Sequence, residues 1–278
     1  MIRKLSTTIT ALALTTALGL AACSAPPGSP TTGTSTAAAS TSGSTSASAG
    51  GDTAPASASG PDISGRLPSA YDLYTRMRTA LTFADSVTFR TVLRSTTTQT
   101  VTFSGNRDGT SVSLVRDTDE EKVEVRVVGT TAYLKGDRRY WERAGSTDRA
   151  AMLAGRWVST PAGGIGSDGT DMTDVLDAAF AQQATTEQLA QGRVELTELD
   201  GIPAYQLTGF DGSDRNTLWI AARGDAYPLK LTISDVAVGA TPSRPTTAGS
   251  AEMRFSAWNA APAVGAPPAS EVVPLRAG

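Results

Sequence analysis

Histidine is absent from all 278 residues, and that absence removes more chemistry than any other feature of the chain. Without imidazole there is no Ser-His-Asp relay and no common His-containing zinc site. No side chain is left whose unperturbed pKa lies near neutrality. Cysteine is almost as scarce: there is one, Cys23, so no disulfide can form within the chain. Aromatic residues make up 6%, few large groups from which to build the walls of a wide pocket. Positive charge in excess is lacking too. The formal net charge is −3, which points away from nucleic-acid partners.

The place of Cys23 gives it a role. Arg3 and Lys4 form a short positive start, residues 5–20 are rich in Ala and Leu, and the small residues Ala21 and Ala22 precede the cysteine. This is the layout of an export signal, with an apolar stretch too short and weak for a permanent span. Leu20-Ala21-Ala22-Cys23 looks like a bacterial lipobox. The expectation is a signal peptide over residues 1–22, its removal, and a diacylglyceryl thioether on Cys23. Each buried CH₂ is worth about 0.8 kcal/mol, so two palmitate-like chains anchor where one holds only marginally. Losing the two positive charges Arg3 and Lys4 moves the formal charge from −3 to −5. Attachment to the outer face of a cell membrane then falls to the lipid anchor alone.

Residues 24–60 consist of Ser, Thr, Ala, Gly and Pro with Asp52 as the exception. Such a composition cannot bury enough apolar surface to offset chain entropy, so residues 23–60 read as a lipidated, disordered linker. A coil of this type spans on the order of 30–40 Å root-mean-square. Residues 61–278 have the length of one globular domain, expected to be monomeric.

Within that domain a helix comes first, with Pro68 in its first turn and Tyr74, Met77, Ala80 and Leu81 on one face. The period then changes to two. "SVTFRTVLRS", "QTVTFSG", "TSVSLV" and "KVEVRVV" alternate apolar and polar residues between tight polar turns, and "GTTAYLKGDRRYWERA" reads as two further strands around Gly136-Asp137. Arg90, Arg94, Glu124 and Arg126 mark the wet face. "TDRAAMLAGRW" and "DMTDVLDAAFAQQ" have helical composition, with Asp171 or Thr173 as N-caps. Strands return in "RVELTEL", "PAYQLTGF", "TLWIAAR", "PLKLTIS" and "AEMRFSAW", and a Pro-rich extended tail closes the chain. Strands, helices, strands describe an α+β domain with a large antiparallel sheet and helices on one face.

Motifs for chemistry are weak. "GIGSDG" at 164–169 matches G-x-G-x-x-G in letters only, since Asp168 would put a carboxylate in the phosphate cradle and the neighbouring strands read antiparallel. Asp117, Asp119, Glu120 and Glu121 read as a solvated hairpin turn, and Asp168, Asp171 and Asp174 as a helix start. Neither has EF-hand spacing or support as a glycosidase pair. No catalytic residue, metal or cofactor is expected.

The lipobox, the linker and the stretches "VGTTAYLKGDRRYWERA", "GRWVSTP", "ELDGIPAYQLTG", "TLWIAARGDAYPLKLTIS" and "AEMRFSAWN" resemble the LppX/LprAFG-type lipoproteins of the LolA/LolB lipoprotein-carrier-like superfamily. The resemblance covers most of residues 68–260. It implies a curved, incompletely closed antiparallel sheet wrapped around helices on its concave face, enclosing an apolar cavity for a lipid, glycolipid or lipidated ligand. Carried over, Val87, Phe89, Leu93, Val101 and Phe103 become cavity lining. So do Val112, Leu114, Val125, Val127 and Trp219, while Trp141 and Trp157 join Trp219 as residues of the rim or core. The alternative reading is ordinary core, because a dry sheet face looks the same whether side chains or a lipid cover it. For function the alternative is a non-catalytic sensor or interaction module that binds an envelope protein.

Overall fold

The computed structural model describes residues 66–274 apart from 146, 163–170, 181–183, 214 and 239–246. Cys23, its lipobox, the linker and the "GIGSDG" stretch lie outside the described residues.

The chain runs α1 (Ala70–Phe83), β1 (Ser86–Arg94), β2 (Thr98–Asn106), β3 (Ser111–Thr118), β4 (Lys122–Val128), β5 (Thr131–Gly136), α2 (Arg138–Arg143), α3 (Thr147–Leu153) and β6 (Trp157–Pro161). It continues with α4 (Met172–Phe180), α5 (Thr186–Gln191), β7 (Arg193–Leu199), β8 (Ile202–Thr208), β9 (Thr217–Ala221), β10 (Pro228–Val238), β11 (Thr247–Ser256) and β12 (Val272–Pro274). The strands form one 12-stranded sheet in the order β12-β6-β5-β4-β3-β2-β1-β11-β10-β9-β8-β7. Its two ends do not pair with each other, so the curved α+β sheet stays unclosed. Every neighbouring pair is antiparallel except β12 with β6.

Two antiparallel meanders thus meet through β1 and β11, with α4 and α5 between them in sequence. Residues directly opposite across a ladder share a face. Leu134, Val125, Leu114, Phe103, Phe89 and Phe255 are successive partners across β5, β4, β3, β2, β1 and β11. All are buried, which defines an inner face.

The helices cover this face. Phe180 of α4 stacks on Phe255 at 5.9 Å, and Phe255 in turn contacts Phe89 at 6.1 Å. Tyr140 of α2 lies so close over inner-face Gly136 that a Cβ there would collide with its ring. Leu73, Tyr74, Met77 and Leu81 of α1 join the same core cluster. Arg107, in the β2–β3 turn, donates from Nε to Ala84 O and from Nη2 to Leu81 O, both at 2.7 Å. Those contacts satisfy carbonyls at the end of α1 and fix that end against the sheet.

Three features differ from the sequence reading. Pro68 precedes the helix, and Ser69 is the N-cap, accepting from the Asp72 backbone. "DRRYWERA" is helical: the Asp137 side chain accepts from Tyr140 N at 2.8 Å, and adjacent Tyr140 and Trp141 are both buried. Two adjacent inward side chains suit a short helix and violate the alternation of a strand. The "TTEQLAQ" stretch, read as no element, forms α5 through a capping box between Thr185 and Gln188.

The Pro-rich tail does pack as an extended strap over the other, outer face. Ala257 and Asn259 adopt positive φ of 50° and 55° as it turns out of β11. Asn259 N donates to Ser86 O at 2.9 Å, and Val264 N to Ser111 Oγ at 2.9 Å. The strap ends as β12 beside β6.

Candidate functional site

The inner face carries the positions expected to line a cavity, Trp219 excepted. Val87, Phe89, Phe103, Val112, Leu114, Val125 and Val127 all lie on it, buried in one cluster with side chains from α1, α2, α3 and α4. Phe89 and Phe103 stack at 4.9 Å with 10° between their planes. These seven positions are therefore covered by the protein's own helices.

Leu93 and Val101 differ: they lie on the same face yet are only half-buried. Val101 is opposite Thr91, which is opposite Met253, and Leu93 is opposite Ala251, which is opposite Ile233. Ala251, Met253 and Ile233 are half-buried as well. At this end of β1, β2, β10 and β11 the inner face presents apolar surface still open to solvent. Sequence reading supplied Leu93 and Val101 but missed Met253 and Ile233, although their period-two parity within β11 and β10 carried the signal.

Trp219 belongs on the other side. Its neighbours Leu218 and Ile220 are fully buried on the inner face, so alternation sends Trp219 outward. There Lys230 Nζ sits over its ring at 5.1 Å. Trp157 is also on the outer face, with Arg126 over its ring at 4.6 Å, and only Trp141 of the three tryptophans joins the inner cluster.

One polar system interrupts the inner face. Arg116 shares a row with Val101 and Val123, where alternation requires an inward side chain. Arg116 Nη2 donates to Glu121 Oε1 at 2.7 Å, and Arg143 of α2 reaches the same carboxylate. Burial pulls the Arg116 guanidinium below its ordinary pKa, and Glu121 opposes that shift. Glu121 is therefore a buried ion-pair partner rather than part of a solvated turn. Of the two expected caps, Asp171 and Thr173, it is Asp171 that caps the helix, accepting from Thr173 N at 2.7 Å.

The outer face carries a different feature, an open groove of about 290 Å³ lined by Arg90, the Thr98, Thr100 and Thr102 hydroxyls, Val115, Asp117, Thr118 and Asp119. Both carboxylates have partners of their own: Lys122 lies 3.3 Å from Asp117, and Thr98 N donates to Asp119 at 3.2 Å. Among the described residues no three Cys, Asp or Glu side chains converge in a way that could hold a metal ion. No helix among them is long and apolar enough to cross a membrane.

No family model matches the chain, and no curated protein matches it in sequence. Solved structures of similar fold exist at low identity. The Mycobacterium tuberculosis lipoprotein LppX is 16% identical with a TM-score of 0.39, over 70% of this chain and 98% of that one. An uncharacterized conserved protein from Thermus thermophilus is 11% identical with a TM-score of 0.32, over 74% of this chain and 98% of that one. The Pseudomonas aeruginosa MucA/MucB complex matches at 17% identity and a TM-score of 0.28, over 72% of this chain and 59% of the matched chain.

Proposed function

We propose that this chain is a non-enzymatic binding module of the cell envelope, held to the outer face of the membrane by a lipid on Cys23. Its domain binds one acyl chain, or a lipidated ligand, at the open end of the inner face. The observation that supports this reading is the half-buried apolar patch of Leu93, Val101, Ile233, Ala251 and Met253, continuous with a core that helices cover elsewhere. A palmitoyl-length tail costs on the order of 12 kcal/mol in water at about 0.8 kcal/mol per CH₂. A surface that matches the bilayer's apolarity makes transfer nearly neutral, with no catalytic group needed.

The test is lipid extraction from the full chain purified from its host membranes, followed by mass spectrometry. Extractable lipid, distinct from the covalent anchor, is expected in near-stoichiometric amount, and Met253→Glu should remove most of it. A second reading, an interaction module for an envelope protein, is favoured by the seven inner-face residues that helices already cover. Lipid-free protein that co-purifies with one membrane protein, with Met253→Glu leaving that pair intact, would replace the first reading by the second.

A further inference from the structure

The groove on the outer face follows from side-chain length. Thr98, Thr100 and Thr102 alternate along β2 with inner-face Val101 and Phe103, so they point outward. On one side Arg90 and Arg94 of β1 stand opposite Thr102 and Thr98. On the other, Val115 and Asp117 of β3 stand opposite Thr102 and Thr100. Three short side chains between longer ones make a trough along the strand. The C-terminal strap crosses these strands at their other end, at Ser86 and Ser111, and leaves the trough open.

The polar groups of the trough are largely unspent. The hydroxyls of Thr98, Thr100 and Thr102 make no hydrogen bond with another described residue, and the exposed Arg90 guanidinium has no ion pair among them. Asp117 and Asp119 are exposed too, and each keeps lone pairs beyond its contact with Lys122 or with Thr98 N. Charge then decides what fits. An anion drawn to Arg90 meets two carboxylates, and a cation drawn to the carboxylates meets Arg90. A neutral ligand rich in hydroxyls suits every group: it donates to the carboxylates, accepts from the guanidinium and does both with threonine. Val115 is the one apolar side chain in the lining, which leaves little for a hydrocarbon tail. The volume of about 290 Å³ is at the lower limit for small-molecule sites.

We propose that this groove is a second binding site, one that takes the hydroxyl groups of a neutral saccharide. It lies on the opposite face from the apolar patch and does not rest on the lipid reading.

An array of neutral, uronate-bearing and amine-bearing oligosaccharides, probed with the full chain in detergent, tests the site. Binding is expected on neutral members and not on the other two classes. Titration with the best neutral member should change little between about 0.1 M and about 1 M salt, since no net charge is paired. Arg90→Ala should weaken that binding about tenfold or more, the worth of a hydrogen bond from a charged donor. Thr100→Val, equal in shape, should weaken it about three- to tenfold. Both positions lie outside the core, so the thermal midpoints should hold. Binding to no neutral member, a preference for uronates or amines, or neutral binding that survives both exchanges overturns the saccharide site. None of these outcomes bears on extractable lipid, which is read separately through Met253→Glu.

Discussion

Glu121 accepts a hydrogen bond from Arg116 at 2.7 Å with both side chains nearly sealed from water, 4% and 10% exposed. The pair ties the β3–β4 turn to the inner face, and Arg143 links it to the end of α2. Removing one member of a buried pair leaves an uncompensated charge, which typically costs about 3–5 kcal/mol. Glu121→Ala should lose stability on that scale in urea unfolding. Arg143 is 57% exposed, so Arg143→Ala should cost about 1 kcal/mol or less. Equal and small losses in both variants would show that the buried pair contributes little.

Much of the sheet was legible because a strand with one dry face writes its burial into alternate letters. Val87, Phe89 and Leu93 share a face by parity alone, and the structure keeps them there. The misreadings have a common origin in information that is not local. Tyr140 and Trp141 looked like strand residues, and the contrary signal was the Asp137 cap with Arg138 and Glu142 one turn apart. Glu121 looked solvated since Arg143, one of its partners, lies 22 residues away on another element. Thr91 has the parity of its apolar neighbours, yet a polar letter in a dry row drew no notice. Nothing in a strand's own sequence says whether a helix or a ligand covers it, so the split between seven closed and two open positions needed the packing.

The two faces of β9 give a direct check on that parity. Leu218→Ala removes a fully buried side chain from the inner face and should cost about 2–5 kcal/mol. Trp219→Ala removes an outward ring beneath Lys230, where a cation–π contact is worth about 0.5–1 kcal/mol. The larger side chain should therefore be the cheaper loss in thermal or urea unfolding. The reverse order would place Trp219 inside.

Gly136 offers a second check, on the seat of α2. Its backbone needs no special φ, so the constraint is space: Tyr140 lies against it. Gly136→Ala should displace α2, cost about 1–3 kcal/mol as overpacking does, and change the near-ultraviolet signal of Trp141. A neutral substitution would mean that α2 is loosely held.

In the proposed reading, anchoring turns on one atom. With Cys23→Ser no thioether can form, and the mildly acidic chain has no electrostatic attraction to anionic headgroups that would replace two acyl chains. The variant should move from the membrane fraction to the soluble fraction while its domain stays folded. Unchanged membrane retention would remove the anchor from the account.

The last expectation concerns acid. Glu252 lies between Lys230 at 3.0 Å and Arg254 at 3.0 Å, and Arg254 also reaches Asp200 at 2.6 Å. Hydrogen bonds from Arg254 and then Lys230 hold the Glu252 carboxyl below its ordinary value. A carboxylate depressed in the folded state binds its proton more readily when unfolded. Its contribution is therefore complete above the unfolded pKa and disappears as pH falls through the folded one. The site is partly open to solvent, so the contribution should be about 1 kcal/mol or less and weaken in 1 M salt. The stability difference between the natural chain and Glu252→Gln should shrink as pH falls from neutrality through the ordinary carboxylate range and on through the lowered folded value. A difference that grew on acidification would have the wrong sign for a carboxylate held ionised by two cations, and would move the acid sensitivity of this face elsewhere.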